Sequence, residues 1–197
     1  MNTSTHASKS NPIKFAPPEK LNADRGDIKR IAETVRSHFN FDKPANLQDL
    51  TRMLGGTINR KNFWISDNIH LDAIVVRQPK DFTIYISETS SRYVNNFTIA
   101  HELGHYFLHY LRGNLESRNT EAGPQLKPMV ATRSGNDEIE KQANIFAWEL
   151  LVPDSLIENH RPRSIEECVI VAEKLDVEPY FVREKAIELG FMSEVDK

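Results

Sequence analysis

Two histidines and a glutamate stand together in the run His101-Glu102-Leu103-Gly104-His105. A helix turns about 100° and rises about 1.5 Å per residue, so side chains four apart share one face, about 6 Å apart. That spacing lets two imidazoles converge on one tetrahedral ion. It leaves Glu102 beside the first imidazole, placed to take a proton from a water on that ion. His101 and His105 are therefore the expected metal ligands, and Glu102 the expected general base. A hydrolytic site also needs a third protein ligand and an open fourth position. Glu140 and Asn144, again four apart, are the expected source. Glu140 would complete the ligand set, and Asn144 would hold the second ring nitrogen of a ligating histidine. Ala143 between them is small enough to let two helices approach closely. Two histidines and a glutamate make Zn2+ the chemical default, while ligand type alone leaves Mn2+ and Fe2+ open. His109 continues the four-residue register, but each such step drifts about 40° around a straight helix. Its expected role is contact with a ligand's far side, or packing. His160, Tyr93, Tyr106 and Tyr110 are weaker candidates for a transition-state donor, and spacing assigns none of them.

The surrounding pattern says what must hold these side chains. Phe97, Ala100, Phe107 and Leu108 place the histidine run inside a helix expected over 91–111. Ile139, Ala143, Phe146, Ala147 and Leu150 form the apolar stripe of a second helix over 137–151, with Pro153 just beyond its end. Upstream, Ile28, Ile31, Ala32, Val35 and Phe39 predict a first helix, and Leu47, Leu50, Met53 and Leu54 a short one stopped by Gly55-Gly56. Segments 57–65, 69–76 and 82–87 read as strands of a small, mainly antiparallel sheet, with a turn at Pro79-Lys80-Asp81. Phe82, Ile84 and Ile86 alternate with Thr83 and Tyr85, so 82–87 is expected to be half-exposed and to offer an edge for an extended peptide. Segment 112–136, with three glycines and two prolines, reads as a long loop able to gate access. Ser164 and Glu167 form a capping box for a helix ending near Leu175, and Pro179 opens a last helix that Gly190 ends. Cys168 lies on that penultimate helix as a small buried hydrophobe. The fold class is α+β.

The chain has 197 residues, with 25 Lys and Arg against 28 Asp and Glu and a formal charge of −3. Such balance gives no electrostatic case for nucleic acid or anionic membrane as the main partner. A single cysteine excludes an intramolecular disulfide and a cysteine-based zinc cluster. No run approaches the ~18 apolar residues that span a bilayer, and the first ten residues lack the apolar stretch of a secretion signal. A soluble, cytoplasmic protein is the expectation.

The run 97–109, Phe97-Thr98-Ile99-Ala100-His101-Glu102-Leu103-Gly104-His105-Tyr106-Phe107-Leu108-His109, resembles the signature of the ImmA/IrrE family of metallopeptidases. So does 140–153, Glu140-Lys141-Gln142-Ala143-Asn144-Ile145-Phe146-Ala147-Trp148-Glu149-Leu150-Leu151-Val152-Pro153. Trp148 departs from the small residue usual at its position. The resemblance implies a zincin-like metallopeptidase fold, a small sheet beside an HExxH helix, with Glu140 as third ligand. It also implies a protein substrate, a helix-turn-helix repressor encoded nearby, whose removal relieves repression in a mobile element, phage or stress response. Many members carry a helix-turn-helix domain ahead of the peptidase. Here only about 25 polar residues precede the first helix, so DNA specificity is expected to reside in the partner. The organisation expected is a flexible tail over 1–24, a metallopeptidase core over 25–160 and a C-terminal helical hairpin over 161–197 packed on it. One rival reading is a non-proteolytic anti-repressor that sequesters its partner around a structural metal. Another is a DNA-binding role for the last two helices, but Arg183 and Lys185 there interleave with Glu184 and Glu188, and no DNA-reading face is evident.

Overall fold

The computed structural model describes residues 13–41, 46–61, 73–113, 126–132 and 137–194. The expected strand ends at 62–65 and 69–72, the first twelve residues and most of the expected loop lie outside them. Helix α1, Arg25–His38, begins at a reciprocal cap in which Asp24 and Asp27 each accept the other's backbone N–H. Its stripe of Ile28, Ala32 and Val35 is buried. Helix α2, Leu47–Met53, is capped by Asn46. Gly55 follows with φ +80°, and a Cβ there would stand 2.3 Å from the Lys80 carbonyl oxygen, so the turn fits only glycine.

Four strands follow: β1 Gly56–Lys61, β2 Ala73–Gln78, β3 Asp81–Ser87 and β4 Met129–Thr132. Their order is β1-β3-β2-β4. Two pairings, β2 with β3 and β2 with β4, are antiparallel, while β1 runs parallel to β3. The sheet is thus mixed. Because β1 and β2 flank it, β3 is an interior strand and not the substrate edge that its alternation suggested. Alternation reports which face is buried, not which strand lies alongside. Thr83, expected to be exposed, is buried and meets Thr57 across the parallel pair at 3.2 Å. The expected loop 112–136 contains β4, a strand too short to show a period.

Ser91 caps helix α3, Arg92–Gly104, which passes directly into a π-helix, His105–Arg112. Helix α4, Asp137–Leu151, packs against α3 and α1, and α3 also contacts β3. An unforeseen helix α5, Asp154–His160, starts after Pro153 and ends where Arg161 turns left-handed, so His160 is helical rather than in a loop. Helices α6, Ile165–Leu175, and α7, Pro179–Glu188, pack on each other; Ser164 caps the first and Pro179 opens the second. Cys168 is buried, its thiol 3.4 Å from the Met192 sulfur, and burial pushes its pKa up.

The stretch expected to be a tail differs from that expectation where it is described. Ala16 bridges to Met129 at the outer side of β4, its N–H donating to Pro128 and its carbonyl accepting from Val130. Leu21 is 1% exposed and joins the core. Pro-rich composition concealed an apolar anchor and the main-chain hydrogen bonds that hold it. No described helix is long and apolar enough to cross a membrane.

Candidate metal centre

Helix α3 presents His101, the π-helix that continues it presents His105 four residues on, and α4 brings Glu140 to meet them. The ligand atoms of these three residues all lie within 4.8 Å of one another. His101 Nε2 is 3.1 Å from His105 Nε2 and 3.1 Å from Glu140 Oε2; His105 Nε2 is 3.5 Å from Glu140 Oε1. Both histidines are buried, and Glu140 is partly so.

Gly104 sets how closely the two helices can lie. A Cβ at that position would come within 3.1 Å of both the Cα and the carbonyl oxygen of Ala143 and 3.3 Å of the Phe146 ring. The sequence pointed to Ala143 as the small residue of this contact, and Gly104 is its opposite half. Glycine in mid-helix costs about 1 kcal/mol against alanine, and the cost is a signal that a neighbouring backbone needs the room.

Each histidine is held from behind. His101 Nδ1 lies 2.9 Å from Asn144 Oδ1, which accepts its proton and leaves the Nε2 lone pair turned inward. His105 Nδ1 lies 2.9 Å from His109 Nδ1. His109 lies in the π-helix, and its ring stands behind His105. His109 Nε2 is in turn 3.2 Å from Gln142 Oε1. Gln142 was not singled out in the sequence, where it reads as one polar residue among several on α4.

Electrostatics favour the states a cation requires. Burial lowers the His105 pKa, with Glu140 opposing, and burial with the neighbouring His105 lowers that of His109 to about 4. Burial alone would raise Glu140, but hydrogen bonds to His101 and His105 outweigh it and bring the carboxyl to about 2. At neutral pH these shifts leave Glu140 a carboxylate and His105 and His109 neutral. Two inward lone pairs and a carboxylate this close repel one another unless a cation lies between them. A tetrahedral ion with bonds of about 2.0–2.1 Å has donor–donor edges of about 3.3 Å, close to the separations here. The donor set fits a zinc-type ion.

Glu102 follows His101 on α3 and is fully buried. The other candidates go elsewhere. His160 is exposed, with Nδ1 2.7 Å from the Leu156 carbonyl oxygen. The Tyr106 hydroxyl accepts from the Lys80 N–H at 3.3 Å, and its ring stacks on Phe82 at 4.4 Å. Burial raises the Tyr106 pKa despite that bond, and raises Tyr110 to about 12.

Residues 75–186 match the model of the family Peptidase_M78, the IrrE N-terminal-like domain. That span is more than half of the chain and contains the whole centre. The chain belongs to this ImmA/IrrE family of metallopeptidases. It is 35% identical over 81 residues to the metallopeptidase ImmA of Bacillus subtilis (strain 168), a stretch covering 41% of this chain and 40% of that relative. A solved Mycobacterium tuberculosis transcriptional regulator aligns with 80% of this chain and 45% of its own, at TM-score 0.50 and 17% identity. At that identity the likeness is one of fold. The aligned part is less than half the length of either protein.

Proposed function

We propose that this chain is a zinc-dependent endopeptidase that cleaves a helix-turn-helix repressor. The convergence of His101, His105 and Glu140 on one buried point, from two helices in contact, carries the reading. Membership of the metallopeptidase family supports it, and the repressor as substrate rests on the family resemblance. A divalent cation held there would polarise a scissile carbonyl and acidify a water molecule. His101 and His105 would hold it through Nε2, because Asn144 and His109 occupy their Nδ1 atoms. Glu102 takes the proton of the attacking water and passes it to the leaving amine nitrogen. Buried beside the ligands, it acts away from bulk solvent.

The test is incubation of zinc-loaded protein with the repressor encoded beside it. Glu102→Gln should retain zinc and lose cleavage by about 10²-fold or more. His101→Ala should lose both. Undiminished cleavage by Glu102→Gln would overturn the base assignment, and full repressor release by that variant in cells would favour sequestration over proteolysis.

A further inference from the structure

Behind His105 a chain of hydrogen bonds leaves the metal centre and ends on the main chain of the N-terminal segment. Gln142, on α4, is 4% exposed and meets that segment at two points. Its Oε1 accepts from the Leu21 N–H at 3.1 Å, and its Nε2 donates to the Leu21 carbonyl at 2.8 Å and to the Ala23 carbonyl at 3.4 Å. A backbone N–H can only donate and a carbonyl can only accept, so this match fixes which end of the amide is oxygen. The oxygen then faces His109 Nε2, which must carry a proton to donate to it. A neutral imidazole has a single N–H, and that of His109 is spent on Gln142, so its Nδ1 is left as an acceptor. His105 Nδ1, 2.9 Å away, must therefore be the protonated nitrogen. The only lone pair left on His105 is Nε2, the atom that faces His101 and Glu140.

We propose that Gln142 is a positioning residue: held by the Leu21 main chain, it sets the tautomer of His105 through His109 and thereby tunes the affinity of the centre for zinc. The inference rests on the metal-centre reading above. Each link has a single allowed donor and acceptor, so an error at one end propagates to the other. With its partner at Leu21 lost, the amide of Gln142 is free to turn its NH2 toward His109. His109 would then present Nδ1–H to His105, and His105 would carry its proton on Nε2, the wrong nitrogen for a metal. Segment 13–24 thereby becomes part of the site without touching it.

The experiment measures zinc affinity by competition with a chelator at neutral pH, beside the melting temperature of the metal-free protein. Gln142→Leu should weaken zinc binding by ~10-fold or more, the range usual for partners that orient metal ligands. Gln142→Glu offers His109 an oxygen whichever way it turns, and should recover affinity to within about threefold although it cannot donate to Leu21. A merely structural role predicts the reverse order, because a buried carboxylate disturbs the fold more than leucine does. Nitrogen chemical shifts of the imidazoles in the wild type should show Nδ1–H on His105 and Nε2–H on His109. Unchanged zinc affinity in Gln142→Leu, or Nε2–H on His105, overturns the relay while leaving the zinc centre standing. A wild type that binds no zinc overturns the centre itself.

Discussion

At the residue scale, one rule governs the centre: each imidazole has two nitrogens, and the one that is hydrogen-bonded decides which is left for a cation. For His101 the deciding atom is Asn144 Oδ1, 2.9 Å from Nδ1. Asn144→Leu removes that acceptor, and the ring is then free to rotate or to hold its proton on Nε2. Zinc affinity should fall by about 10- to 100-fold, read by chelator competition. Asn144→Asp keeps an acceptor oxygen and should stay within a few-fold of the wild type. Equal losses in both variants would mean that Asn144 only fills space between α3 and α4.

At the element scale, the centre depends on how near α3 and α4 can come. Gly104→Ala sets a methyl 3.1 Å from the Ala143 backbone, which cannot rotate aside. Alanine's helix propensity would gain up to about 1 kcal/mol, but forced overpacking costs about 1–3 kcal/mol, so destabilisation should win. Because the helices must part, Glu140 withdraws from the histidines, and zinc affinity should fall together with the midpoint of urea unfolding. A Gly104→Ala protein of raised stability and unchanged affinity would show that the contact has slack. That His101 shares a face with His105, and Glu140 with Asn144, was legible in the sequence, because positions four apart on a helix share a face whatever surrounds them. The π-helix was not: nothing in His105–Arg112 marks the change from i+4 to i+5 bonding. Four-residue β4 and the parallel pairing of β1 with β3 were equally hidden. Both depend on long-range partners, and local periodicity carries no record of those.

At the scale of the whole molecule, the helix that carries Glu140 is also tied to the C-terminal helices by charge. Lys185 on α7 is fully buried, its ammonium 2.8 and 2.9 Å from the two Glu149 oxygens on α4 and 3.1 Å from Asp154 on α5. Arg25 stands 3.8 Å from Glu149, and Lys29 of α1 bonds Asp154, so four helices share the cluster. Burial would raise the Asp154 pKa, but the bond from Lys29 and the charge of Lys185 outweigh it and hold the pKa below 3.8. A depressed carboxylate pKa gives stability that is present above the unfolded value and lost as pH falls through the folded one. Asp154→Asn should therefore lower the melting temperature at pH 7, and the gap from the wild type should close as pH falls below 3.8. A gap independent of pH would mean that Asp154 acts by packing alone. Lys185→Met is the harsher change, since it strands the Glu149 carboxylate in the core with only the more distant Arg25. It should cost about 3 kcal/mol in urea unfolding, the lower end for a broken buried pair. Adding Glu149→Leu removes the stranded charge and should return most of that loss, because well-packed apolar side chains often replace a buried pair without penalty. The double variant leaves His101, His105 and Glu140 untouched, so its zinc affinity should match the wild type. A double variant as unstable as the single one would show that the charges do more than cancel each other: they would then fix the angle at which α7 meets α4.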